Sequence, residues 1–149
     1  MSDSFDLQRF IDAQAPVFDQ ALAELRAGSK RSHWMWFVFP QIAGLGHSAM
    51  AQRYAISGRD EAIAYLQHPV LGSRLETCCE AMFSHPDRSA RQILGSPDDL
   101  KLRSSMTLFH AVAPERKVFQ AVLDAFYGGK PDEATLSRLR KENDTPVGR

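Results

Sequence analysis

Lys30-Arg31-Ser32-His33-Trp34-Met35-Trp36-Phe37-Val38-Phe39-Pro40-Gln41 is the stretch on which the fold class turns. Its apolar run, Trp34 to Phe39 closed by Pro40, is too short for periodicity to separate a buried strand from a buried helix. The surroundings decide. A lone strand would expose a row of unpaired N–H and C=O groups, and no other segment reads as a good strand to pair with it. The run is therefore expected as a short buried helix capped by Ser32, and the chain as all-α.

Helix punctuation recurs on both sides of this run. Leu7, Phe10 and Ile11 form a short amphipathic stripe, with Ser4 or Asp6 as cap. After Pro16, Phe18, Ala21, Leu22 and Leu25 share a face, and Gly28 ends the helix. Beyond the Gly44-Leu45-Gly46 loop, Ser48 caps a helix through Tyr54. Ser57 to Asp60 reads as a capping box opening a helix through Gln67. From Pro69, the residues Val70, Leu71, Arg74, Leu75, Cys78, Cys79, Met82 and Phe83 follow helical spacing closely. Ser89 to Gln92 is a second capping box, closed by Gly95. Ser96-Pro97-Asp98-Asp99 combines a serine cap, a first-turn proline and first-turn acids, and its helix should reach about Ala111. Pro114 opens the next, with Val118, Val122, Leu123 and Phe126 inward, stopped by Gly128-Gly129. Asp132 caps the last, with Leu136 and Leu139 on its apolar side. The expectation is a single helical domain over residues 5–142, about eight or nine short helices around one core, with residues 143–149 a frayed tail.

Composition narrows the function classes. The chain of 149 residues has 18 basic and 18 acidic residues and no net charge. It lacks the basic excess by which nucleic-acid binders displace counterions from phosphates. The start, Met1-Ser2-Asp3-Ser4, carries an acid rather than a basic leader region, and no long apolar run follows. Neither a signal peptide nor a membrane span is expected. Cys78 and Cys79 are adjacent, so a helix splays them about 100° apart and they do not bridge each other. They read as small core residues of a cytoplasmic protein. His47, His68, His85 and His110 show no i, i+4 pairing, so no metal set is read, and no cofactor is implied.

Three features could carry chemistry. The aromatic run is a core nucleus and equally a wall on which a planar ligand stacks, with Trp36 as the stacking ring. His33 at its start is a candidate acid or base, and Gln41 at its end could orient a ligand amide or base edge. The Gly44 to Ser48 loop precedes a helix but lacks a phosphate-loop lysine and a preceding strand, so it reads as a turn. In Asp98-Asp99-Leu100-Lys101-Leu102-Arg103-Ser104-Ser105-Met106-Thr107, Lys101 shares a face with Ser104 and Ser105. Small hydroxyls on an inward face imply either tight helix packing or a polar pocket. The order reverses the familiar Ser-x-x-Lys and its companion motifs are missing, so covalent serine chemistry is not read.

The run Lys30 to Gln41, together with Phe10-Ile11-Asp12-Ala13-Gln14, Gly44-Leu45-Gly46, Tyr65-Leu66-Gln67-His68-Pro69 and Asp98 to Phe109, resembles the domain-of-unknown-function 1810 family from about Phe5 to Leu139. The resemblance implies a multihelical, all-α bacterial domain and brings no activity with it. The label calpastatin attached to some members finds no support, because calpastatin inhibitor segments are disordered repeats and this chain reads as packed and unrepeated.

Two functional expectations follow. The first is a small-ligand domain or enzyme acting on a nucleotide-like or ADP-ribose-like compound. In it Trp36 and Gln41 hold a base, Arg53 or Lys101 holds a phosphate, Ser104 lines the site, and His33, Asp99 or Lys101 is the catalytic candidate. A fold-level analogy with all-α N-glycosidases of ADP-ribose derivatives points the same way. The second is a non-catalytic module that docks a protein partner through an exposed apolar patch. Nucleic acid and membrane are not expected partners.

Overall fold

The computed structural model describes residues 5–144, with side chains to Glu142. These residues form ten helices: α1 (Gln8–Gln14), α2 (Phe18–Ala27), α3 (Met35–Val38), α4 (Ala49–Arg53), α5 (Arg59–Gln67), α6 (Leu71–Met82), α7 (Ala90–Leu94), α8 (Asp98–Val112), α9 (Lys117–Tyr127) and α10 (Glu133–Asp144). The all-α expectation holds, with more helices than the eight or nine expected. The tail expected to fray, 143–149, lies outside the described side chains, and Ser4 lies outside the described residues.

The aromatic run is indeed a short buried helix. Trp34, Met35, Phe37, Val38 and Phe39 are buried, and only Trp36 is partly open. Its cap differs from expectation. Trp34 occupies the cap position with no side-chain capping bond, and the Ser32 hydroxyl is spent on Glu24. That carboxylate, 7% exposed, collects donors from both sides of the loop between α2 and α3. Oε1 accepts from the Arg31 and Ser32 N–H groups (2.9 and 3.1 Å) and from the Trp34 indole (2.8 Å). Oε2 accepts from the Ser32 hydroxyl (2.5 Å) and the Gln20 amide (3.0 Å). The other end of α3 is held by buried Gln14, whose amide donates to the Phe37 carbonyl (2.6 Å) and the Tyr65 hydroxyl (3.0 Å). The Trp34 indole and the Gln14 amide would otherwise be buried unpaired, which costs more than the bond itself contributes.

Around this helix the core is aromatic. Phe10 meets Tyr65 edge-on (5.1 Å between centroids), Tyr65 meets Phe109 (5.4 Å), and Phe109 meets Phe119 (5.7 Å). These contacts join α1, α5, α8 and α9, and α8 packs against α5, α7, α9 and α10. Of the expected stripe on α6, Leu71, Leu75, Cys78, Cys79 and Met82 are buried and Arg74 is half-buried, while Val70 and Phe83 at its ends are 37% exposed. Cys78 and Cys79 are free and buried. Burial pushes the Cys78 thiol up to about 12 and Cys79 well above its usual value, so neither is a thiolate nucleophile.

The sequence signals match the observed helix ends at several points and differ from them at others. Ser48 and Ser89 cap α4 and α7, the latter with its full capping box. Gly28 and Gly128 end α2 and α9 in the left-handed region. Ser57 does not cap α5. Gly58 takes that place, and Glu61 rather than Asp60 reaches back, accepting the Ser57 N–H (2.8 Å). Leu7 and Pro97 stand at the cap positions of α1 and α8, where Asp6 and Ser96 were expected. His68, at the C-terminal cap of α5, steadies the turn into α6, its Nδ1 accepting from the Val70 and Leu71 N–H groups (3.1 and 3.3 Å).

Burial alone would raise the Glu24 pKa, but the bonds from Ser32, the Arg31 N–H, Trp34 and Gln20 outweigh it and hold the group near 2 against 4.5. A depressed carboxylate stabilises the fold above its unfolded pKa and loses that contribution as pH falls toward the folded value. Glu24→Gln, which turns an amide NH2 toward this set of donors, should therefore cost about 3 kcal/mol at neutral pH. Urea unfolding of both proteins should show the gap closing as pH drops from about 4.5 toward about 2. A gap independent of pH would contradict this.

Candidate functional site

An open cleft of about 550 Å³ lies where the end of the aromatic run meets α8 and the start of α10. Trp36, Gln41, Leu100, Lys101, Ser104 and Asp132 line it, with His47, Ser48 and Ala51 on the loop side. The two stretches singled out from sequence therefore converge. The Lys101 ammonium stands 4.5 Å from the centre of the Trp36 ring. A smaller cavity of about 120 Å³ behind it shares Trp36, Gln41, Gly46 and Ala51.

The Lys101 ammonium on the cleft wall belongs to a cluster of three charged residues. Asp98 receives Lys101 (3.3 Å) and also Lys30 (2.9 Å), whose side chain is 9% exposed. Lys30 is held in turn by the Ser32 carbonyl (2.6 Å) and lies 5.1 Å from the Trp34 ring centre. One carboxylate thus serves two ammonium groups, and the Asp132 carboxylate stands on the same cleft wall as Lys101. Ser104 lines the cleft but its hydroxyl donates back to the Leu100 carbonyl (3.2 Å), as buried helical serines do. Ser105 is fully buried on the core side. The face of small hydroxyls is therefore divided between cleft and packing.

The remaining candidates lie outside the lining. His33 is exposed. Arg53 ends α4, exposed, with its guanidinium on Tyr54 (Nε to Oη 3.3 Å). Asp99 sits one residue from Asp98, but its carbonyl accepts the Tyr127 hydroxyl (2.5 Å) and its carboxylate is near enough to raise the Tyr127 pKa, after burial, as a secondary cause. Sequence reasoning placed Asp99 in the site because adjacent helical residues cannot be ranked without knowing which flank faces the pocket.

The sequence reading does not assign to the site Leu100, 55% exposed on the cleft wall, Lys30 or Asp132. Asp132 was read only as a cap, which it is: Oδ2 accepts the Thr135 N–H (2.9 Å) and hydroxyl (2.6 Å). No sequence signal joins it to Trp36, since that placement depends on how α10 docks on α8.

The loop wall has a distinctive construction. Its base is pinned by a parallel bridge, in which the Ala43 N–H donates to Ile56 and the Ile56 N–H to Gln41 (both 2.8 Å). Arg9 donates to the Arg53 and Ala55 carbonyls (both 2.8 Å) and pairs with Glu61 (2.9 Å). Arg138 donates to the Gly44 carbonyl (3.1 Å), and Gly44 has φ +98 with a Cβ position that would fall 2.3 Å from the Arg138 guanidinium. Between these pins, α4 buries no residue.

The family model described as "Protein of unknown function (DUF1810)" matches residues 4–139, which takes in every cleft residue. The chain belongs to this family. DUF1810 membership agrees with a solved relative. The crystal structure of the conserved hypothetical protein Rv1873 from Mycobacterium tuberculosis is 53% identical, with a TM-score of 0.91 over 93% of this chain and 99% of that one. No curated protein matches the chain. Among the described residues, no group of His, Cys, Asp and Glu could hold a metal ion, and no helix is long and apolar enough to cross a membrane.

A helix that buries nothing opens locally at low free energy. Amides of α4 should exchange with deuterium far faster than those in the middle of α8, by native-state exchange measured residue by residue. Equal protection in the two helices would show that α4 is held more firmly than its packing indicates.

Proposed function

We propose that this protein is a small-ligand domain that binds a nucleotide-like anion in the cleft between α3, α8 and the start of α10. The observation that carries this is the Lys101 ammonium beside the Trp36 ring, with Asp98 shared between Lys101 and Lys30. An arriving phosphate can take Lys101 as a charge-assisted donor while Asp98 keeps Lys30 as its partner, so no buried charge is stranded. Trp36 offers an apolar aromatic surface for a base or other flat ring, and Gln41 an amide for its edge. The volume, about 550 Å³, suits a ligand of nucleotide size.

The cleft's charge also narrows the class. Arg53 is outside the lining, so Lys101 is the single lysine or arginine on the wall among the described residues. One anionic group is anchored well and two are not. A nucleoside monophosphate or sugar phosphate therefore fits better than a dinucleotide or ADP-ribose. The free, buried cysteines fit a reducing compartment, and we place the protein in the bacterial cytoplasm.

A thermal-shift series with AMP, ribose 5-phosphate, ADP-ribose and NAD tests this. AMP at a hundred times its Kd should add about 2.7 kcal/mol of stability, a rise of several degrees. Lys101→Ala should abolish the rise while costing the free protein no more than about 1 kcal/mol, since Lys101 is a partly exposed ion-pair partner. A flat response to the whole series would overturn the proposal and favour a protein-binding module.

A further inference from the structure

We infer that Asp132 is a ligand-contacting residue of this cleft and that it accepts hydrogen bonds from the vicinal hydroxyls of a ribose; this rests on the cleft being the ligand site. Asp132 is held with unusual firmness. Its N–H donates to the Thr107 hydroxyl (2.8 Å), which itself donates to the Arg103 carbonyl (2.8 Å). The Arg103 guanidinium holds the Lys130 and Pro131 carbonyls (3.0 and 2.9 Å). The backbone leading into α10 is thus fastened to α8 residue by residue. On the side chain, Thr135 fixes Oδ2 with two bonds, which sets the plane of the carboxylate.

Capping uses one oxygen, and serine, threonine or asparagine would supply it equally well. The second oxygen, Oδ1, accepts no bond from the described residues, and the residue lines the cleft. Asp132 is also the one acidic residue on that wall among those described. The cleft therefore carries a cation on α8 and a pre-oriented carboxylate oxygen at the head of α10. A carboxylate repels phosphate and accepts from hydroxyls or amines. A compound that brings an anion to Lys101, a flat ring to Trp36 and paired O–H donors to a fixed carboxylate has the make-up of a ribonucleoside monophosphate. An acidic side chain on a ribose diol is a recurrent solution to this recognition problem.

Asparagine separates the cap from the contact. The cap requires an acceptor, so Asp132→Asn must give its carbonyl oxygen to Thr135 and turn its NH2 toward the cleft, replacing an acceptor by a donor. Binding is read by tryptophan fluorescence with AMP and with 2′,3′-dideoxy-AMP as probes. The wild type should bind AMP about tenfold more tightly than the dideoxy compound. Asp132→Asn should keep the wild-type Tm, lose that preference and bind the two alike; Asp132→Ser, which also caps, should do the same. If the wild type binds both probes equally, or Asp132→Asn keeps the preference for AMP, Asp132 is only a cap, and a loss of binding in Lys101→Ala still upholds the cleft. Absence of any binding by the wild type overturns the cleft as ligand site and this inference together.

Discussion

The buried carboxylate of Glu24 organises much of what surrounds it. Burying an ionised group is costly unless its lone pairs are satisfied, and here five donors converge on it. Three of the donating residues, Arg31, Ser32 and Trp34, are consecutive or nearly so in the chain. They enter the aromatic run with their geometry already set. Gln14 then holds the Phe37 carbonyl from the opposite side. A helix of only four residues cannot persist on its own backbone bonds. It persists because buried polar side chains grip both ends while Met35, Phe37 and Val38 fill the core.

Trp36 lies between those two grips and is the member of the run left partly open. Its position is thereby fixed against α8, and Lys101 can rest beside its ring. The same loop supplies Lys30, which completes the charge set by sharing Asp98. Core and cleft are therefore coupled: the anchor that builds the core also delivers the aromatic surface of the cleft and Lys30, the second partner of Asp98. The opposite wall is made differently, by a loop whose ends are stapled by arginines and whose helix contributes nothing to the core. The two walls of the cleft thus differ in how firmly they are packed.

How much of this could be read beforehand depended on range. Local signals were dependable where one residue acts on its own turn: Ser48, Ser89 and Asp132 as caps, Gly28 and Gly128 as stops, the stripe on α6. They failed where a distant partner competes for the side chain. Ser32 has the right chemistry to cap α3, but Glu24 claims its hydroxyl. Glu24 itself left a clue, since it stands three residues after Ala21 and beside Leu25 on an inward face where a lone charge must find donors. Trp36, Gln41, Lys101 and Ser104 were picked as ligand-facing or catalytic candidates and all reach one cleft. Asp98 and Asp99 were indistinguishable by composition, and only the docking of α8 shows that Asp98 meets the lysines. Asp132 is legible in the sequence as a cap, whereas its place on the cleft wall depends on how α10 docks.

The indole resonances of the two tryptophans offer the most direct check on the central claim, that the cleft beside Trp36 is where this protein binds its ligand. Trp34 donates its indole N–H to Glu24 inside the core, whereas Trp36 lines the cleft. Titrating AMP into 15N-labelled protein should move the Trp36 indole signal progressively and leave that of Trp34 in place. Two unmoved signals at millimolar AMP, or perturbations confined to residues away from α3 and α8, would contradict the account.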